Sequence, residues 1–322
     1  MRVMVLMLDD AFDLGVMAVL DAFRTANELI ALTGSEIRPF DVQLAGVRRH
    51  ITTSQGFRIG VAAIERQRPD CVVVPAIGFK VPDVLEAALA RADVRDTAVA
   101  LGRLARRGAL MTAACIGTFV LAESGVLNRQ RATTTWWLAP LFRKRYPSVQ
   151  LDDANMIVKS GKVVTAGAAL GHMDLALWMI RSVSPKLASL TASYLIADSR
   201  PAQSAYALTD HFMHADPIVQ RFEQWARDHL ADRFSLDSAA RAVASSKRTL
   251  ARRMHSVLGK TPVQYLQDLR VERAVHLMTT RQASVDDVAA QVGYADGATL
   301  RTLLRRRLHV GVRDIRRRSA QP

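Results

Sequence analysis

Cysteine is almost absent from this 322-residue chain, with Cys71 and Cys115 as its only two. Two thiols make no disulfide framework, which points to a reducing compartment, by default the cytoplasm. Long apolar runs are missing too. Asp9 and Asp10 close the apolar opening too early for a signal peptide. No uncharged stretch reaches the roughly 18–20 residues of a membrane helix, and His172 and Asp174 interrupt the nearest candidate. No membrane partner is expected. The sequence also lacks a metal-ligand cluster, a phosphate loop and a glycine-rich dinucleotide fingerprint, so neither a metal nor a cofactor is expected.

What the chain has is positive charge, a formal +14 with a pI near 10.6. That points to a polyanionic partner. The charge is uneven. Residues 216–322 hold 20 Lys and Arg against 11 Asp and Glu, a net +9; the preceding residues, twice as many, hold only +5. The length allows two domains. The expected division is 1–200, a linker at 201–215, and 216–322.

In the first part, short apolar runs at Val3–Leu8, Phe40–Ala45, Cys71–Pro75, Leu110–Ala113 and Lys162–Ala166 alternate with helical patterns. These patterns cover Gly15–Leu32, Asp83–Leu104, Ile116–Ser124 and Gly171–Arg181. Continuous apolar strands between helices predict a mostly parallel sheet covered on both faces, a doubly wound, flavodoxin-like α/β domain. Phe40–Val47 and Arg58–Val61 read as a short antiparallel addition, and Ser160-Gly161 as a hairpin turn. After residue 216 the strand pattern stops. Helices are predicted at Pro217–Leu230, Leu236–Val243, Lys247–Leu258, Pro262–Thr280, Val285–Val292 and Gly297–Leu308. Asp216, Ser235, Ser284 and Asp296 are positioned as N-caps.

Two segments of this helical part repeat. Ser235-Leu-Asp-Ser-Ala-Ala-Arg-Ala-Val matches Ser284-Val-Asp-Asp-Val-Ala-Ala-Gln-Val, and Leu250–Met254 matches Leu300–Leu304. One residue is gained in the turn, where Ala244 and Gly293 correspond. A short helix, a tight turn and a second helix is helix-turn-helix grammar. The outer face of each second helix is polar and basic: Ser246, Lys247, Arg248, Thr249, Arg252 and Arg253 in the first copy; Gly297, Ala298, Thr299, Arg301, Thr302, Arg305 and Arg306 in the second. Small residues at a helix start permit close approach to the groove floor, and arginine suits guanine edges and phosphates. Ala240, Ser246, Arg248, Leu250, Gly259, Thr261-Pro262, Tyr265, Arg270, Ala274, Ala289, Val292-Gly293-Tyr294 and Leu300 resemble the AraC family of regulators over nearly all of 216–318. Met254 and Leu304 replace its usual Phe, and the closing segment Leu308–Arg316 lacks its Pro. The resemblance implies an all-α domain with two helix-turn-helix units that binds double-stranded promoter or operator DNA, with RNA polymerase as a candidate partner.

In the first part, Leu110-Met-Thr-Ala-Ala-Cys115-Ile-Gly reads as strand, sharp turn and helix start. A helix N-terminus favours thiolate, and Ala113 and Gly117 are small enough for such an elbow. Val72–Gly78 ends another strand with a turn expected to offer backbone N–H groups to an oxyanion. The elbow, Leu121–Asn128, Ala132-Thr-Thr and Asp174 resemble the PfpI/ThiJ domain, which is similar to class I glutamine amidotransferases. Together with the C-terminal part, the chain resembles the GlxA-type AraC regulators. The resemblance places Asp13 as the acidic partner of Cys115. It also marks a departure: Thr135 stands where relatives commonly carry His before Trp136, removing the evident general base. His172 is expected to pack rather than act. The predicted ligand-binding residues are Asp13, Ala76, Ile77, Gly78, Cys115, Ile116, Thr135 and Trp136; no catalytic residue is assigned. The expected protein is a homodimeric transcriptional regulator with a small-molecule effector. The competing readings are a cysteine hydrolase or amidotransferase with an attached DNA-binding domain, and a non-specific architectural binder.

Overall fold

The computed structural model describes residues 1–197, 214, 216–280, 283–308, 311–313 and 315. The chain forms two compact units, Met1–Gln203 and Ser204–Pro322. Apart from His214, the expected linker lies outside the described residues, as does the tail from Arg316.

The first unit opens with β1 (Arg2–Leu6), α1 (Asp13–Leu32) and β2 (Asp41–Gly46). A hairpin follows, β3 (His50–Thr52) and β4 (Arg58–Gly60), then β5 (Ala62–Ala63) and β6 (Cys71–Val74). Next come α2 (Pro82–Leu89), α3 (Ala92–Arg106), β7 (Leu110–Ala114) and α4 (Gly117–Glu123). The unit closes with β8 (Arg131–Ala132), α5 (Ala139–Arg145), β9 (Gln150–Leu151), β10 (Ile157–Ser160), β11 (Val163–Ala166), α6 (Gly171–Val183) and α7 (Pro185–Tyr194). The main sheet runs β10-β11-β7-β6-β1-β2-β5. All its pairings are parallel except β10 with β11, which turn through the predicted hairpin.

Alternate residues of each central strand enter different cores, which explains the continuous apolar runs. Met4, Leu6, Val72, Val74, Met111 and Ala113 pack on one face, with residues of α2 to α5. Val3, Val5, Cys71, Val73, Val164 and Ala166 pack on the other, with residues of α1, α6 and α7. Two readings need correction. Asp41–Gly46 joins the sheet in parallel beside β1, while Arg58–Gly60 pairs antiparallel with His50–Thr52 in a separate hairpin. The helical pattern at Asp83–Leu104 is two helices, α2 and α3. The break falls at Arg91, which takes an extended conformation and turns its guanidinium to Asp93 (Nε and Nη2, each 3.0 Å) and Asp10 (2.5 Å). Asp93 is buried, so the pair holds the loop after β1 against the start of α3. Helices α5 and α7 were not expected from the sequence.

The second unit is helical in its described residues: α8 (Pro217–Asp228), α9 (Leu236–Ala242), α10 (Lys247–Leu258), α11 (Pro262–Thr280), α12 (Val285–Gln291) and α13 (Gly297–Leu308). The side chains of Asp216, Ser235 and Ser284 cap α8, α9 and α12, and Ser284 with Asp287 completes a capping box. Met254 and Leu304 are fully buried, so an aliphatic side chain serves where the family carries Phe. Arg270, on the long helix α11, is almost buried. Its Nε donates to the Leu230 carbonyl (2.8 Å) and its Nη2 to that of Asp232 (2.6 Å), and the guanidinium lies 5.2 Å from the centre of the Tyr294 ring.

Ala244 and Gly293, equivalent in the repeat, both have left-handed backbone, with φ of 51° and 78°. An L side chain costs roughly 1 kcal/mol there. A Cβ at Gly293 would also lie 2.6 Å from Arg270 Nη2 and 2.7 Å from the Ala231 carbonyl, whereas Ala244 already accommodates one. Ala244→Gly is therefore expected to stabilise the second unit by about 0.5–1 kcal/mol, and Gly293→Ala to destabilise it by about 2 kcal/mol or more. Urea unfolding of the full chain followed by helical circular dichroism checks both signs.

Candidate functional site

Two exposed helices, α10 and α13, are built alike. Ser246 Oγ accepts the Thr249 N–H (3.1 Å), and Asp296 Oδ1 accepts the Thr299 N–H (2.7 Å). The N–H and hydroxyl of Thr299 hold the Asp296 carboxyl below the usual range, with Arg301 adding to the effect. Leu250 and Met254 anchor α10 in the core; Leu300 and Leu304 do the same for α13. The preceding helix ties each N-terminus down. In the first copy, Lys247 Nζ donates to Asp237 at 2.9 Å and lowers its carboxyl. In the second, the Gly297 N–H donates to the equivalent Asp286 at 2.8 Å.

The sequence-predicted DNA contacts separate by their partners. Arg248, Arg252, Arg305 and Arg306 are exposed and hold no ion pair among the described residues; Arg301 and Ala298 are exposed too. These are free to meet an anion or a base edge. Arg253 is not. Its Nη2 lies 2.5 Å from Oδ2 of Asp216, the N-cap of α8, and that carboxylate is almost buried. Lys247 is similarly engaged by Asp237. Gly297 requires correction: it is buried, and a Cβ there would lie 2.7 Å from Asp286 Oδ1. It is a glycine for close packing of α12 on α13 and does not reach the outer face. Ser246 acts as a cap, and Thr249, Thr299 and Thr302 use their hydroxyls within their own helices or with the cap.

In the first unit the elbow exists. Cys115 follows β7 with φ of 56°, and its N–H donates to the Ala166 carbonyl (2.8 Å). Gly117 begins α4 so close to the end of β6 that a Cβ would lie 2.2 Å from the Val74 carbonyl. The electrostatic expectation for the thiol fails. Cys115 is 3% exposed, and burial pushes its pKa up to about 12, outweighing the lowering by the Ile116 N–H, Thr135 and Lys80. A single turn of helix dipole does not offset loss of water around a thiolate.

The surrounding polar groups are largely spoken for. His172 is fully buried; its Nδ1 lies 2.6 Å from the Ala169 carbonyl and its Nε2 accepts the Ala76 N–H at 3.1 Å. It is the neutral Nδ1–H tautomer, and burial pushes its pKa down to about 4. The Ala76 N–H is thus taken by His172, and the Gly78 N–H by the Asp10 carbonyl (2.7 Å). Asp13 accepts from Ser54 Oγ (2.8 Å) and the Gln55 N–H (3.0 Å). Burial opposes its charge, but these bonds and one from Thr53 hold its carboxyl below the usual range. No hydrogen bond joins Asp13 to Cys115 among the described residues. Ala76, Ile77, Ile116 and Thr135 are buried, and Gly78 and Trp136 half-buried. The sequence missed Thr134, whose hydroxyl donates to the Cys115 carbonyl (2.8 Å), and the buried Oγ1 of Thr118, which lacks a hydrogen bond. The run Thr133-Thr-Thr was a visible signal for these; Ser54, in a loop remote in sequence, gave none.

Comparison with known proteins divides at the same place. Residues 1–182 match the model of the DJ-1/PfpI family, and residues 239–318 that of a helix-turn-helix domain. The HTH-type transcriptional activator RhaS of Escherichia coli (strain SE11) is 40% identical over 92 residues, 29% of this chain and 33% of that protein. The chain thus spans about a third of the length of these relatives. A putative transcriptional regulator protein from Vibrio parahaemolyticus matches with a TM-score of 0.51 and 18% identity, covering 61% of this chain and 98% of that one. A THiJ/PfpI family protein from Pseudomonas syringae gives 0.51 and 15%, covering 66% and 81%. At these identities the likeness is one of fold. Among the described residues, no helix is long and apolar enough to cross a membrane.

Two outcomes follow from the buried elbow. Iodoacetamide at pH 8 should leave Cys115 unmodified in the native chain and label it once urea unfolds the first unit; rapid native labelling would show a thiolate. The second concerns pH. The folded pKa of His172, about 4, lies below the ordinary 6.5 of the unfolded chain, so only the unfolded chain takes up this proton between those values. Stability is full above pH 6.5 and should fall by roughly 3 kcal/mol as pH drops towards 4. His172→Gln should flatten that part of the profile in urea titrations at fixed pH.

Proposed function

Given that the chain belongs to the DJ-1/PfpI family through residues 1–182 and carries a helix-turn-helix domain at 239–318, we propose that it is a sequence-specific DNA-binding transcriptional regulator. The observation that carries this reading is the pair of capped, exposed helices with unpaired arginines, set in a segment whose net charge is +9. A DNA duplex is a polyanion whose major groove admits such a helix, and a fused pair of readers can engage two successive groove faces. The matched activators support the reading only for the segment they share.

The first unit is proposed as a sensor for a small metabolite held at the Cys115 elbow, with dimerisation through this unit and a cytoplasmic location. Dimerisation would make the second protomer's DNA contact intramolecular and raise avidity. Turnover is not part of the proposal. A thiol raised to about 12, a neutral histidine with both nitrogens engaged, and Thr135 in place of a base leave no evident agent for proton transfer. The strained backbone of Cys115 is the observation that favours the hydrolase alternative. Robust turnover that disappears in Cys115→Ala would establish that alternative.

Selection of randomised duplexes by the full chain should enrich one sequence. With about six phosphates neutralised, the slope of log K against log salt should be near −5. Arg252→Ala should cost about tenfold or more in affinity for the selected site. Arg253→Ala should cost far less affinity, since Asp216 already holds that guanidinium. Equal losses in the two variants would refute the sorting of readers by their partners.

A further inference from the structure

The caps fix the register between the two reading helices. Ser246 corresponds to Asp296, Leu250 to Leu300 and Met254 to Leu304, always 50 residues apart. Every exposed position therefore has a counterpart. At 100° per residue, positions 248, 252, 255 and 256 point away from the buried Leu250 and Met254, as do 298, 302, 305 and 306 in the second helix. The chemistry at these equivalent places differs. Arg248 and Arg252 face Ala298 and Thr302 in the alignment; His255 and Ser256 face Arg305 and Arg306.

The N-terminal residues of a recognition helix meet base edges, while its far end lies nearer the backbone. The first helix brings two unpaired guanidinium groups, one turn apart, to that position. The second brings none at the equivalent places; its Arg301, exposed on the flank, stands where the first helix has Ala251. Its Thr302 hydroxyl donates to the Ala298 carbonyl (3.0 Å) and its Thr299 hydroxyl to Asp296 (3.1 Å). With their hydroxyl protons committed, these side chains offer a base edge methyl groups and hydroxyl lone pairs but no donor. They border a recess of about 440 Å³, where Ala298, Thr299 and Thr302 form the short-chained wall and Gln267, Tyr294 and Arg306 the longer one. Beyond Arg301, the outward-facing arginines of this helix come later, at 305 and 306, where phosphate is the nearer anion.

Resting on the DNA-reading function above, we propose that the two helices read different base classes. Arg248 and Arg252 take guanines through N7 and O6, and Ala298 and Thr302 take thymines through their 5-methyl groups. The site of each protomer is then a guanine-bearing half-site joined to a thymine-bearing one, and the protomer is bound in a single orientation on it.

The test selects randomised duplexes with the full chain and then edits single atoms of the selected site. Enrichment of guanines in one half-site and thymines in the other is expected. Replacing thymine by uracil, which lacks only the methyl, should weaken binding about fourfold per contacted base in the second half-site and leave the first unaffected. Replacing guanine by 7-deazaguanine should cost about tenfold in the first half-site alone. Arg252→Ala should remove the guanine preference there, and Thr302→Arg should create one in the other half-site. Guanine required equally in both half-sites, or thymines that uracil replaces without loss, would overturn this assignment while leaving the DNA-reading function standing. Failure to enrich any sequence would overturn both.

Discussion

The arrangement of the second unit depends on one nearly buried guanidinium. Arg270 sits on the long helix α11, between the bundle that carries the first reader and the turn that launches the second. Its nitrogens satisfy the Leu230 and Asp232 carbonyls just beyond α8, and its flat face lies over Tyr294. A charged donor with buried acceptors contributes roughly 1.5–3 kcal/mol per hydrogen bond and leaves a costly charge behind if they are removed. Lysine lacks the planar fork that spans two carbonyls. The choice of glycine at 293 follows from the same contact, because the guanidinium occupies the space a Cβ would need; the likewise left-handed Ala244 keeps its Cβ. The two copies of the repeat are thus held to a common post, and their separation is a property of α11 and not of either turn.

The repeat shows how one geometry survives a change of chemistry. In both copies an aspartate near the start of the first helix secures the start of the second. Asp237 does it through the Lys247 side chain, and Asp286 through the backbone of Gly297. The first solution leaves a long exposed side chain at the helix start; the second needs close approach and removes the side chain. The elbow in the first unit obeys a comparable trade. Tight packing of α4 on the end of β6 produces the strained turn, and the same packing excludes the water a thiolate would need.

Much of the architecture is legible in the chain because its signals are local. Caps at Asp216, Ser235, Ser284 and Asp296 place helix starts, and continuous apolar runs place the central strands. The failures share a non-local cause. The break between α2 and α3 arises because Arg91 is recruited by Asp10, 81 residues away in sequence. Arg253 looks like a reader until Asp216, across the bundle, claims it. Asp41–Gly46 pairs with β1, beyond the whole of α1 in sequence, and not with the nearer Arg58–Gly60. At the elbow, sequence shows the helix start that favours a charged thiol, whereas the opposing burial comes from Ala76, Ile77 and the threonine run, which only the fold assembles. The GlxA-type likeness conveyed the missing histidine at Thr135, but His172 was legible only as a residue that would pack.

The raised thiol has a consequence for chemical durability. Oxidation of cysteine by peroxide proceeds through the thiolate and requires access, so it follows ionisation and exposure. Cys115 offers little of either, and Cys71, pushed up to about 12 by burial within its strand, offers no more. Both thiols of the protein are therefore poor targets for peroxide in the folded chain. The strained turn at Cys115 is thus built around a thiol that burial keeps protonated, so its shape does not depend on the charge of the sulfur.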